Sequence, residues 1–193
     1  MSKVRLTGAT SGYVELTAPA VAGSNTLILP GGNGTAGQVL QTNGTGALSW
    51  ETFKGPVFRA GQVGTQTLTS NVSTKLTLIT GESYDTANCY STSTQRFTPN
   101  VAGYYLITLA ILGAGSTGTT AVEATIGYNG VVASIGSAVG SPATSYSSAI
   151  SNTSAVLYFN GSTDYVEAFG RVVGTGTVTV TTGFFEGFMI RPA

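Results

Sequence analysis

Histidine is absent from this 193-residue chain and cysteine occurs once. Without histidine, the commonest general base and metal ligand is missing. The lone Cys89 has no intrachain disulfide partner and reads as a small core or turn residue. Charge is scarce too: 8% of residues are Asp, Glu, Lys or Arg, against about 25% in globular proteins generally. The eight basic residues are scattered singly and balance eight acidic ones. No patch can neutralise a run of phosphates, so nucleic acid is not an expected partner. No apolar run approaches the roughly 18 residues that cross a bilayer, so membrane insertion is not expected. Met1–Gly8 has neither the apolar stretch nor the cleavage pattern of a secretion signal. The 27 glycines follow no Gly-X-Y period, which excludes collagen.

What is present is a 41% hydrophobic chain whose polar residues are mostly Ser, Thr and Asn, punctuated by glycine. It divides near Lys54-Gly55-Pro56, giving an N-terminal fibrous or attachment segment (1–54) and a head (55–193). In the first part, Tyr13–Thr17, Thr26–Pro30, Gln38–Gln41 and Ala47–Trp50 are short apolar runs. Gly31–Gly34 and Thr42–Gly46 separate them as strong turn signals. So few apolar side chains cannot close a core, and no disulfide is available to help. Three chains about one axis would let Leu16, Leu27, Leu29, Val39, Leu40, Leu48 and Trp50 meet their copies. The alternative is a flexible leader.

Beyond residue 55 the runs lengthen, with no credible amphipathic helix. Val57–Gly61 opens the head, and Lys75–Thr80 alternates with period two. Tyr104–Leu112 is nearly all apolar, the pattern of a strand buried on both faces. Val122–Tyr128 leads through Asn129-Gly130, a strong hairpin signal, to Val131–Ile135. Ala155–Phe159 turns at Asn160–Thr163 toward Tyr165–Phe169, and Thr175–Thr182 feeds an aromatic last segment, Gly183–Pro192. Regular short strands with glycine-rich turns predict an all-β antiparallel jelly-roll sandwich. Its last strand would slot between earlier ones.

Four places in order resemble the globular domain of complement component one, subcomponent q, which shares its jelly roll with tumour necrosis factor. They are Pro56–Ala60, then Tyr84-Asp85 with Phe97–Pro99 and Gly103–Tyr105, then Ser154–Phe159 with Asp164–Val166, and finally Phe185–Ile190. That resemblance implies a tight homotrimer with ligand-binding loops. Two departures are the missing collagen stalk and the lack of evident carboxylate-rich calcium ligands. Ala18–Leu27, Asn33–Leu40 and Leu48–Trp50 resemble a segment common in bacteriophage tail fibres. Together they imply a homotrimeric virion fibre protein, made in the host cytoplasm and exposed outside it. Its N-terminal segment would contact other tail or capsid proteins, and its head a bacterial surface glycan or protein. A capsid decoration or spacer without a receptor, or a secreted complement-like ligand, are the alternatives.

No enzymatic activity, cofactor or metal is expected. Asp164 and Glu167 lie three apart and would face opposite sides of a regular strand, which makes a poor glycosidase pair. Glu82 and Asp85 read as solvated loop charges rather than calcium ligands. No Gly-x-Ser-x-Gly elbow is present. Binding loops are expected at Gly113–Gly118, Gly136–Ser148 and Gly170–Thr175, with Tyr146, Asn129 and Arg171 as receptor-contacting residues. Leu27, Leu29, Leu40, Trp50, Tyr105 and Phe188 are assigned to trimer packing. Asn33, Asn43, Asn71, Asn152 and Asn160 stand in Asn-x-Ser/Thr sequons, an expected by-product of a turn-rich composition.

Overall fold

The computed structural model describes residues 3–21, 23–52, 55–132, 136–140 and 146–193, with backbone alone for Lys3, 136–140 and 146–149. Its chain falls into two compact units, Met1–Lys54 and Gly55–Ala193.

The first unit consists of two ribbons. Strands β1 (Lys3–Thr7) and β2 (Tyr13–Thr17) pair antiparallel. Register places Val4 opposite Leu16 and Leu6 opposite Val14, so one face is wholly apolar. The other face carries Arg5, whose guanidinium lies 2.9 Å from Glu15 and 4.0 Å above the Tyr13 ring. Strands β3 (Val39–Thr42) and β4 (Leu48–Glu51) form the second ribbon. Asn43 shapes its turn by accepting from the Thr45 and Ala47 amides. A two-stranded ribbon is marginal by itself, and these bury no core: Val4, Leu6, Val14, Leu16, Leu27, Ile28, Leu29, Val39 and Leu40 are all exposed. The sequence reading missed β1. Thr26–Pro30, read as an apolar run like its neighbours, forms a single bridge from Ile28 to Ala47 instead of a strand.

In the second unit the strands are β5 (Val57–Gln62), β6 (Gln66–Leu68), β7 (Thr74–Lys75), β8 (Ile79–Asp85), β9 (Tyr90–Ser91), β10 (Arg96–Phe97), β11 (Gly103–Gly115), β12 (Thr119–Tyr128), β13 (Gly136–Gly140), β14 (Tyr146–Phe159), β15 (Val166–Gly174) and β16 (Val178–Pro192). A front sheet runs β14-β11-β16-β5-β8, with β6 beside β16; a back sheet runs β13-β12-β15-β10-β9, with β7 beside β15. Take β5 and β10–β16 as strands one to eight. The sheets then read 6-3-8-1 and 5-4-7-2, the doubled Greek key of a jelly roll. As the sequence predicts, the final strand lies between early ones: β16 pairs with β11 on one side and β5 on the other.

Side chains alternate along each strand, and one set fills the space between the sheets. Phe58 stacks on Phe97 (4.2 Å) and Tyr90 (4.9 Å) and meets Phe185 edge-on. Tyr105 packs edge-on against Phe159, and its hydroxyl donates to the Val101 carbonyl. Burial raises the Tyr90 and Tyr105 hydroxyls above their ordinary pKa, so both stay protonated donors. Gly187 allows Phe58 and Ile107 to close over β16; a Cβ there would sit 2.6 Å from Ile107 Cδ1.

The structure corrects several boundaries. Lys75–Thr80 is not one strand: the chain leaves the back sheet after Lys75 and enters the front sheet at Ile79, with a turn at Thr77-Leu78. After Asn129-Gly130 only Tyr128 and Val131 bridge, and β12 takes Gly136–Gly140 as its partner. Residues 133–135 of the expected return strand lie outside the described ones. β14 and β15 belong to different sheets, so Asn160–Tyr165 is a crossover between layers and not a hairpin turn. Its geometry comes from Asn160 Oδ1, which accepts from the Ser162, Thr163 and Asp164 amides.

Candidate interaction face

β11 presents its odd-numbered residues Tyr105, Ile107, Leu109 and Ile111 to the core, all buried. Its even-numbered residues point out of the front sheet and are only partly covered. The expectation that Tyr104–Leu112 is buried on both faces therefore holds for one face within a single chain. Cross-strand register arranges the outer side chains in rows. Tyr104 lies between Tyr158 and Arg191, and Leu106 between Val156 and Phe188, with Val57 beyond. Thr108 lies between Ser154 and Glu186, with Arg59 and then Tyr84 beyond. Ala110 lies between Asn152 and Phe184, and Leu112 between Ile150 and Thr182.

Two shallow apolar depressions mark this face. One, of about 310 Å³, is lined by Tyr104, Val156, Ile190 and Arg191. The other, of about 250 Å³, lies among Ala110, Leu112, Ile150, Thr182 and Phe184. Tyr104 meets Tyr158 edge-on at 5.5 Å and lies under the Arg191 guanidinium. Exposed large apolar side chains here include Tyr104, Ile150, Val156, Tyr158, Phe188 and Ile190. Among the described residues, strands β7, β9, β10, β12 and β15 of the back sheet carry none.

The outer face of the described back-sheet strands carries paired charges beside Phe169 and Val173. Glu167, almost fully buried, receives Lys75 Nζ at 2.5 Å and Arg96 Nε at 2.9 Å, and Arg96 lies over the Tyr165 ring. Burial pushes the Glu167 pKa up, but the two cations together outweigh it and hold the carboxyl below its ordinary value.

The residues expected to contact a receptor fare differently. Asn129, in a left-handed conformation (φ 50°), donates to Asp164 Oδ1 and accepts from the Tyr165 amide, each at 2.9 Å. That hydrogen bond, ahead of the Asn160 amide, draws the Asp164 pKa down. Each end of this exposed amide thus makes one hydrogen bond within the fold, and Asn129 anchors a turn. Arg171 stands within β15, not in a loop, and faces Glu123 at 3.4 Å. The backbone of Tyr146 opens β14 opposite Gly115; its side chain lies outside the described residues. Gly113–Gly115 belong to β11 and Gly136–Gly140 to β13, so the connection at the first site shortens to 116–118. Of the second expected loop, 141–145 fall outside the described residues.

Of the trimer-packing residues, Tyr105 is corrected: it is fully buried in its own chain and cannot face another. Its neighbour Tyr104 occupies the outer face instead. Phe188, Leu27, Leu29 and Leu40 are exposed. Trp50 is also exposed, at 37%, while donating from Nε1 to the Gly32 carbonyl at 2.9 Å and covering Gly34. Asp85 accepts from the Tyr90 and Ala87 amides, which makes it a turn residue. Among the described residues no cluster of three metal-ligating side chains occurs, and no helix is long and apolar enough to cross a membrane.

Two antiparallel sheets in jelly-roll order, with one apolar outer face, define the class: an all-β jelly-roll protein preceded by short β-ribbons. The sequence matches no protein-family model and no curated protein. Among solved structures, it is similar to Eiger TNF from S. frugiperda (11% identity, TM-score 0.46, covering 72% of this chain and 95% of that one). PRD1 vertex protein P5 is similar at 16% identity and TM-score 0.48, covering 70% and 97%. Murine APRIL is similar at 14% identity and TM-score 0.46, covering 69% and 99%.

Proposed function

We propose that the chain is a non-catalytic subunit of a homotrimeric virion fibre, assembled through the front sheet of its jelly-roll head. The observation that carries this reading is the outer face of β11 and its neighbours. Its sequence has the composition of a strand covered on both sides, yet one chain covers only one side. Apolar rows of this size on a monomer's surface mark an interaction site. The face measures roughly four strands at about 4.8 Å by nine residues at about 3.3 Å. That is on the order of 600 Å² before side-chain relief, approaching the ~800 Å² per partner of a stable interface. Closed symmetry with identical copies is the commonest way to cover such a face. The uncovered ribbons of residues 3–52 support the same conclusion, since they too lack an interior.

Placement on a phage virion rests on the nearly uncharged Ser/Thr/Asn/Gly surface and on the tail-fibre-like segments between Ala18 and Trp50. Asn152 favours it over a secreted, glycosylated ligand: this sequon residue sits on the apolar front face opposite Ala110, where a glycan would block assembly. The test of assembly is native mass spectrometry and light scattering on the full chain, with a trimer expected; a monomer at micromolar concentration refutes it.

A second reading, a spacer without a receptor, is favoured by the internal engagement of Asn129 and Arg171. Adsorption of the labelled full chain to candidate host cells separates the two: saturable binding supports an attachment fibre, and its absence on every host the virion infects supports the spacer.

A further inference from the structure

The front face is not uniformly apolar. Its middle row, Ser154–Thr108–Glu186–Arg59–Tyr84, is polar from edge to edge, with rows on either side that are apolar but for Asn152 at one edge. At its centre Arg59 Nη1 lies 2.9 Å from Glu186 Oε2, and the guanidinium lies 4.7 Å from the Phe184 ring centre. These side chains are already more than half covered within one chain: Arg59 is 42% and Glu186 29% exposed. We propose that this row is the register and partner-selecting element of the interface between copies of this chain. The proposal rests on the homotrimer reading and adds which residues decide what associates with what.

The physical reason is hydrogen-bond accounting. One charge-assisted contact satisfies a fraction of the donors on a guanidinium, which has five N–H groups. A row in the middle of a covered face cannot reach bulk water at the rim. Its remaining donors and acceptors then need partners from the facing copy. The face has one such row, and it carries a cation, an anion and hydroxyls side by side, so it complements itself. Sliding one copy along the strands by a residue pair would place Arg59 and Glu186 against the Leu106–Phe188 row or the Ala110–Phe184 row. Both charges would then be buried without partners, the costly case for an ion pair. The apolar rows supply non-directional attraction, and the polar row makes one register better than the others. Polar groups inside otherwise apolar contacts serve the same end in coiled coils.

The test uses full-length chains. Wild type and R59E/E186R, distinguished by mass, are assembled separately and then refolded together for native mass spectrometry. The reversed pair keeps its intrachain attraction, so it is expected to assemble alone. In the mixture, facing rows would set Glu against Glu and Arg against Arg, and like charges across an interface cost several kcal/mol. Mixed species are therefore expected about tenfold or more below their binomial share. A binomial mixture overturns the proposal, because it means the rows do not meet. Should the reversed chain fail to assemble alone, R59M/E186L decides. Its row keeps the hydroxyls of Ser154, Thr108 and Tyr84 but no charge, and it is expected to populate several stoichiometries. A single stoichiometry identical to wild type overturns the proposal. Wild type appearing as a monomer refutes the trimer reading itself, which distinguishes that failure from this one.

Discussion

Phe58 and Phe188 stand on adjacent strands of the same sheet and make opposite predictions. Phe58 is fully buried and stacked between Phe97 and Tyr90. Phe58→Ala should cost about 3–5 kcal/mol of the chain's own stability, the usual range for a core phenylalanine. Phe188 is 46% exposed in the single chain. A phenylalanine offers on the order of 200 Å², so close to 90 Å² waits to be covered on assembly. At about 25 cal/mol per Å² that is about 2 kcal/mol per copy, or roughly 6 kcal/mol for three copies. Phe188→Ala should therefore shift the urea midpoint strongly near the assembly threshold and weakly at high protein concentration. Phe58→Ala should shift it by a similar amount throughout. The assay is urea unfolding followed by circular dichroism over a hundredfold range of concentration. A Phe188→Ala shift independent of concentration would show that Phe188 stays in solvent, and the interface assignment would fall.

Three further outcomes follow from named contacts. Asn129→Ala should cost about 2 kcal/mol, from two lost hydrogen bonds and left-handed strain on alanine, with cell adsorption unchanged; lost adsorption at unchanged stability would restore its receptor role. Glu167 has a folded-state pKa below its ordinary 4.5, so its contribution is present above that value and disappears as pH falls through the folded pKa. Melting temperature should accordingly drop as pH is lowered below about 4.5, less steeply in Glu167→Gln. Trp50 is the single tryptophan and covers Gly34, so its fluorescence reports on the first unit alone. Gly34→Ala should shift the emission to the red without changing head stability, and an unchanged spectrum would refute the packing.

The jelly roll was legible because its strands carry their period openly. The nearly continuous apolar run of β11 and the reserve of aromatics in Phe184, Phe185 and Phe188 are enough to predict a last strand slotted between earlier ones. What escaped was long-range. Leu76 and Leu78 lie on one face of a hypothetical strand, but Leu76 is buried beside the back sheet and the next strand begins in the front sheet. A period-two pattern cannot reveal that the chain changes layers midway. Ala155–Phe159 and Tyr165–Phe169 look like hairpin arms because a short polar turn separates them; a crossover between stacked sheets has the same local signature. The turn-anchoring part of Asn129 was hidden for a related reason. Exposed asparagine beside glycine suits a recognition loop and a hydrogen-bonded turn equally well, and only the position of Asp164, 35 residues on, decides between them.

Tyr104 and Tyr105 illustrate the deeper limit. Sequence marks both as aromatic members of one apolar run, and assigns Tyr105 to trimer packing. Neighbours on a strand point to opposite sides, so packing means different things for the two. Tyr105 has its hydroxyl satisfied by Val101 inside the sandwich. Tyr104 has Tyr158 and Arg191 around it and an open side facing outward. A continuous apolar strand thus signals that both faces need cover, without saying that one chain supplies it. Where the second cover is missing, as along the even residues of β11, the deficit measures how far the fold depends on a neighbour. The same deficit in Val4, Leu6, Val14 and Leu16, with no layer behind them, makes the β1–β2 ribbon the more dependent of the two. Progressive dilution should therefore expose the β1–β2 amides to hydrogen exchange before those of β11, whose core face holds without partners. Equal protection of both at concentrations where only monomer remains would contradict that ordering.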